Sequence, residues 1–249
     1  VTTAPIPLDE LHRLIGHYAR MLADLQKARI GMRNRIDRFE EYGFQEPQTI
    51  NAKAAVAGLE QIEHTIDLEL RSLVRQHPLA PWIKEQVGIG LDGFARLLGV
   101  TGPLDRFPTV SKLWKYLGLH VTPQGTAPKR RKGEAWSHTD CRFNHLRTCK
   151  PGCKTDHHPN CVPGGVGTAY APHGRTLCYL LGESIVKAGK GPYRAAYDEK
   201  KAYYEQNRPD WPQIRRHRAA MRYAVKMLIK ELWLEWRAVL GTGDQYQAA

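Results

Sequence analysis

From Leu8 onward, apolar side chains return at alternating steps of three and four: Leu8, Leu11, Ile15, Tyr18, Leu22, Leu25, Met32, Ile36 and Phe39, with Arg29 in the one polar seam position. Such spacing keeps one face of a helix apolar turn after turn and predicts a coiled-coil seam. Asp9, near the start, suits the positive end of the helix dipole. After a connection over residues 42–50 that holds Gly43 and Pro47, the rhythm resumes with Ala55, Leu59, Ile62, Ile66 and Leu73, interrupted by Glu69. Two such helices across a short connection are expected to fold back on each other. A register pairing Ile36 with Ile62 sets Arg29 opposite Glu69, whereas a shift of one heptad fits the short connection better but strands both charges. The seam can also zip two chains together, so a homodimer through the coiled coil stands beside the hairpin.

Pro78 and Pro81 punctuate the chain, and a compact helical region is expected to follow up to Leu119. Residues 121–172 are polar, basic and rich in Gly and Pro, which is loop composition. Helices are expected again over 176–188, 193–206 and 211–240. In the last of these, Met221, Ala224, Val225, Leu228, Leu232 and Trp236 form one apolar stripe, and Arg215, Arg216, Arg218, Arg222 and Lys226 form a basic side. The expected fold is therefore mainly α. A helical hairpin or coiled coil over residues 1–76 precedes a helical domain over 77–249, which carries a loop insertion at about 138–165.

Residues 82–100 read as helix, Val87-Gly88-Ile89-Gly90, helix, with Ala95, Leu97 and Leu98 available to pack the second helix on the first. This is a helix-hairpin-helix pattern. Gly88 and Gly90 permit a tight turn, and the absence of side chains lets backbone N–H groups approach a phosphate. Gly88, Ile89 and Gly90 are thus candidate contacts to a sugar–phosphate backbone, a kind of contact that positions a strand without reading its sequence. The pattern is no dinucleotide fingerprint, because no strand precedes it and no third glycine follows at the required spacing.

Charge adds a partner. The 249 residues hold 37 Lys and Arg against 25 Asp and Glu, a formal charge of +12, which suits a polyanion. Lys129, Arg130, Arg131 and Lys132 are adjacent, and residues 112–154 carry ten Lys and Arg against only Glu134 and Asp140. Arg215, Arg216 and Arg218 extend the candidate DNA contacts. No apolar run of about 18 residues is present, so no membrane-spanning helix is expected. The first residues lack a basic stretch followed by an apolar one, so a cytosolic protein with reduced or metal-bound Cys is expected.

Between residues 141 and 161, potential metal ligands recur at every fourth position: Cys141, His145, Cys149, Cys153, His157 and Cys161, with His158 adjacent. Zinc takes four Cys or His ligands in a tetrahedron, and a structural site can replace the core that a short loop lacks. Pro151-Gly152 and Pro159 break any continuous helix, so successive ligands can converge. The tightest set is Cys149, Cys153, Cys161 and one of His157 or His158; Cys141 and His145 are substitutes or part of a second site. Cys178, in the apolar run over 177–181, reads as a core residue.

Residues 83–119 resemble the C-terminal domain of the insertion-sequence 110/116/902 transposases through Val87-Gly88-Ile89-Gly90, Asp105-Arg106-Phe107 and Leu113-Trp114-Lys115-Tyr116-Leu117-Gly118-Leu119. Arg131-Lys132-Gly133-Glu134 and Arg175-Thr176-Leu177-Cys178-Tyr179-Leu180-Leu181-Gly182-Glu183-Ser184, followed by Tyr193, Tyr197 and Lys200, are similar to the end of a stand-alone branch of that family. The heptads resemble the coiled coil that precedes the domain in full-length members, and the Cys/His loop looks like an insertion. The resemblance implies a nucleoid-associated, DNA-binding protein of a mobile element, acting in transposition or recombination.

Full-length members add an RNase-H-like domain whose acidic residues hold Mg²⁺ and a nucleophilic serine in the C-terminal domain. Here the coiled coil begins at Leu8, and residues 119–132, where the serine is expected, hold only Thr122 and Thr126 as hydroxyls. A catalytically incomplete protein, accessory to a catalytic transposase partner, is the expectation. An active recombinase using Thr126, with His120 or His138 as base and Mg²⁺ bound, is the alternative. A coiled-coil scaffold is another. RNA is a further possible partner, since full-length relatives use an RNA guide and charge does not distinguish the polymers.

Overall fold

The computed structural model describes residues 6–44, 46–47, 49–121 and 170–240. Over these it is helical and without strands: α1 (Leu8–Glu41), α2 (Ile50–Arg75), α3 (Ala80–Glu85), α4 (Gly90–Thr101), a 3-10 turn at Leu104–Arg106, α5 (Val110–Tyr116), α6 (Pro172–Ala188), α7 (Pro192–Asn207) and α8 (Gln213–Val239). No described helix is long and apolar enough to cross a membrane. Thr126, the Lys129–Lys132 strip and every predicted zinc ligand (Cys141, His145, Cys149, Cys153, His157, His158, Cys161) lie outside the described residues.

The chain divides into two compact units. The first comprises Val1–Arg106, Ala188–Gly191 and Trp233–Ala249; the second comprises Phe107–Lys187 and Pro192–Leu232. In the first, α1 and α2 pair along their lengths as an antiparallel hairpin, and α4 packs across both. The contact of α1 with α4 is tight: a Cβ added to Gly99 would come within 2.8 Å of the Ala19 Cβ. Phe94, Ala95, Leu97 and Leu98 of α4, with Ile83 of α3, are fully or almost fully buried.

The phase of the hairpin differs from the one the sequence suggests. Val56, Glu63, Leu70, Leu73 and Val74 are buried in α2, whereas Ile62 is 50% exposed and Ala55 and Glu69 are exposed. Arg29 meets Glu63 rather than Glu69, with Nε 2.7 Å from Oε1. Arg33 reaches Glu60 at 2.6 Å, and Lys53 reaches Glu40 at 2.7 Å. In this register Ile36 lies level with Val56 and Leu22 with Leu70, all of them buried. The short connection sets the stagger, and rotating α2 by one residue supplies Arg29 with a carboxylate instead of leaving it stranded.

The α1 seam also widens and fades. Its first half buries Leu11, His12, Ile15, Gly16, Ala19 and Leu22, because more than one neighbour covers it, while Phe39 at the far end is 51% exposed.

The second unit is built on α8. Ala220, Met221, Ala224, Val225, Leu228, Ile229 and Leu232 are buried, in agreement with the predicted stripe. A Cβ on Gly182 of α6 would sit 3.3 Å from Val225 and 3.4 Å from Met221, so α6 and α8 approach closely there. Cys178 is 3% exposed, and burial pushes its thiol up to about 12, which makes it an unreactive core residue. Tyr193 of α7 donates its hydroxyl to Glu231 at 2.5 Å, and Tyr197 bonds His217 Nδ1 at 2.7 Å, joining α7 to α8.

Candidate nucleic-acid interface

In the first unit the predicted glycine corner is a turn between two helices. Gly88 has φ 107° and Gly90 φ 58°, values that an L side chain adopts only with strain. Ile89 between them is 6% exposed, so its side chain anchors the corner in the core while Gly90 stays open, with nothing within 4 Å of a Cβ placed there. The corner leads directly into the first turn of α4, which starts at Gly90. A helix N-terminus is a place where backbone N–H groups lack partners within the helix.

An open cleft of about 270 Å³ adjoins the corner, lined by Arg71, Arg75, Ile89, Gly90, Leu91 and Asp92. Arg71 is already committed, 2.9 Å from Asp67 and 3.1 Å from Asp92. Among the described residues no carboxylate pairs with Arg75. The Asp92 charge opposes an anion here, so Arg75 must outweigh it. A neighbouring cleft of about 400 Å³ is lined by Glu60, Glu63, Asp67 and Asp92 as much as by Arg29, Arg71 and Arg96, and that balance does not favour a polyanion.

In the second unit, cations rest on aromatic faces. Lys200 Nζ lies 4.2 Å from the Tyr203 ring centroid and 5.1 Å from that of Tyr223. Arg215 lies 4.0 Å above Trp211, and Arg208 5.7 Å from the same ring. Tyr204 stacks on Trp211 at 5.4 Å. Tyr203 is 48% exposed and Tyr223 38%, so part of this ladder of rings faces solvent. Lys200, Arg208 and Arg215 have no carboxylate partner among the described residues. Cation–π contact holds such side chains in place without neutralising them.

The basic side predicted for the last helix divides. Arg215, Arg222 and Lys226 share one face at steps of seven and four. Arg218 is exposed on another, and Arg216 has a buried Nε without a hydrogen-bond partner. Arg222 and Lys226 are half-buried. Burial is the largest influence holding Arg222 below its ordinary value; Arg175 and Arg215 add to it, and Tyr204 acts against it. Lys226 is lowered by burial first and by Arg222 second. It sits 4.0 Å over the Trp114 ring, whose Nε1–H donates to the Lys226 carbonyl at 3.2 Å.

Lys115 of α5 and Arg175 of α6 add to this cationic group, with His120, from the segment after α5, beside them. Spacing along α8 does mark Arg215, Arg222 and Lys226 as one face, but nothing in the linear pattern brings α5 and α6 to it. Among the described residues, no group of three or more His, Cys, Asp or Glu is placed to hold a metal. No protein-family model matches the chain, and no curated protein matches it either.

Proposed function

We propose that the chain binds DNA as a mainly helical protein of the transposase type, accessory to a catalytic partner rather than cutting DNA alone. The observation that carries this reading is the face of the second unit where Lys200, Arg208 and Arg215 lie on Tyr and Trp rings and, among the described residues, pair with no carboxylate. Exposed rings flanked by unneutralised cations suit a strand with some bases unstacked, the rings taking bases and the cations taking phosphates. The Gly88–Gly90 corner with Arg75 contributes a backbone contact that is indifferent to sequence.

The resemblance to the insertion-sequence 110/116/902 transposases supports the same reading through its helix-hairpin-helix. In this reading a zinc ion held by Cys149, Cys153, Cys161 and one of His157 or His158 orders a basic loop that starts with Lys129–Lys132 and enlarges the footprint.

The test is equilibrium binding to duplex, single-stranded and branched DNA and to RNA, each over a range of salt. A steep fall of affinity with salt and a preference for DNA carrying unpaired bases support the proposal. Salt-independent or absent DNA binding overturns it, and a preference for RNA reassigns the polymer.

A further inference from the structure

Arg222 and Lys226 stand one helical turn apart on α8, both half-buried, and no carboxylate pairs with either among the described residues. Opposite them, the end of α5 is joined to the start of α6. Ala171 N donates to Tyr116 O at 2.7 Å, and the backbone at Gly118 is so close that a Cβ there would lie 2.9 Å from the Tyr170 ring and 3.2 Å from the Arg175 Cβ. Arg175 donates to the Tyr170 hydroxyl at 3.1 Å. His120, two residues past Gly118, has a buried Nδ1 with no hydrogen-bond partner.

Cations withdrawn from water and left beside one another are costly, and such a cost persists only where something offsets it. An anion does so: it restores the lost solvation of each cation and cancels their mutual repulsion, and charge-assisted bonds are the strong ones. We propose that Arg222, Lys226 and His120 form a seat for one phosphate group, with Arg175 and Lys115 contributing positive potential from beside it. Trp114 holds the Lys226 ammonium in place from below.

His120 gives the seat a spectroscopic signature. Burial, then Lys115, Arg175 and Lys226, hold its ring below the ordinary histidine value, against a hydrogen bond to the Lys115 backbone. A bound phosphate reverses the sign of the local field, so the ring takes up a proton and Nδ1 becomes a donor to the anion.

The inference rests on the DNA-binding reading for the phosphate's biological source, and the two can fail separately. The experiment follows the His120 ring by NMR in the full chain, assigned with His120→Gln, while inorganic phosphate is added. A 5′-phosphorylated single-stranded oligonucleotide and its 5′-hydroxyl twin are then compared by equilibrium binding. Phosphate should raise the His120 pKa by about one unit, and Arg222→Gln and Lys226→Gln should each weaken phosphate binding about tenfold.

Thermal unfolding of the same variants guards against a purely structural role. Removing a repelled cation should leave Tm unchanged or higher, whereas a cation needed for folding would lower it. A tenfold advantage of the 5′-phosphorylated strand assigns the seat to strand ends; equal affinity assigns it to an internal phosphodiester. If millimolar phosphate leaves His120 unmoved and both variants bind DNA like the parent, the seat is refuted while DNA binding stands. If phosphate moves His120 but no nucleic acid binds, the seat survives and the DNA reading falls.

Discussion

The Nε2 atoms of His12 and His77 lie 2.9 Å apart in the core of the first unit, and the protein backbone decides which of them carries the shared proton. Leu79 N–H donates to His77 Nδ1 at 3.1 Å, so Nδ1 is an acceptor and the His77 proton resides on Nε2. His77 therefore donates and His12 accepts, which puts the His12 proton on Nδ1, where it is buried without a partner. Trp236 stacks on the His12 ring at 5.0 Å and Phe94 meets His77 edge-on at 5.1 Å, so little water reaches the pair.

Acid should unfold this unit through that pair. Burial first and His12 second push His77 down to about 3, while burial lowers His12 against the opposing pull of Asp105 and Asp9. A histidine whose folded pKa is depressed contributes stability that is fully present above pH 6.5. That stability is lost as pH falls, because the unfolded chain takes up the proton first. For His77 the loss should reach about 2–3 kcal/mol by pH 4.5. Urea unfolding at pH 7.5 and 4.5 measures it. His77→Asn keeps a side-chain acceptor for Leu79 N–H but does not titrate, so it should be weaker at pH 7.5 and lose less on acidification. An equal loss in that variant would falsify the assignment.

The hairpin register should depend on Arg29 and Glu63. Their side chains are only 20% and 11% exposed, so removing one leaves the other unpaired inside the seam. Glu63→Leu and Arg29→Met should each lower Tm, and the two together should recover much of the loss, because two apolar groups continue the Ile36, Val56, Leu22 and Leu70 layers. Additive losses in this double-mutant cycle would mean that the pair is not coupled.

Nucleic-acid affinity should divide between the two units in kind. Tyr203→Ala removes an exposed ring and should cost about 1–3 kcal/mol with single-stranded DNA, and less with duplex. Arg75→Ala removes one phosphate contact at the glycine corner, so affinity should drop about equally for all sequences and the salt slope should fall by about one. Anisotropy titrations at several salt concentrations distinguish these patterns. An Arg75 variant with the parent's slope would leave the corner a structural turn.

The Cys/His loop makes a compositional prediction. Protein purified without added zinc should carry about one equivalent of the metal. Cys149→Ser with Cys153→Ser should lose the metal while leaving the Tm of the described helices near that of the parent. Metal content well below half an equivalent in the unaltered protein would remove zinc from the picture.

What the sequence reveals follows from how far each signal reaches. The alternation of three and four that begins at Leu8 and Leu11 depends on one helix alone, and the hairpin it implies is there. The phase of α2 depends on its neighbours. Ile62 and Ile66 look as suitable for the seam as Val56 and Leu70, and only the turn length and the Arg29 charge choose between them. Along α8, the stripe from Met221 to Leu232 was legible because a buried stripe must be apolar. The basic side was legible only in part, since the difference between Arg218 in solvent and Arg222 beside Arg175 is made by α6. The glycine corner was visible as a turn, but Arg75 beside it comes from α2 and from a different stretch of sequence.

Where α1 crosses α4, the space between Ala19 and Gly99 admits a single methyl group, and that methyl now belongs to α1. Gly99→Ala alone should force the helices apart at a cost of about 1–3 kcal/mol, yet the reciprocal exchange, Ala19→Gly with Gly99→Ala, hands the methyl to the other helix and should recover much of it. At this crossing it is the total volume of two small residues that is constrained, and neither position taken singly is.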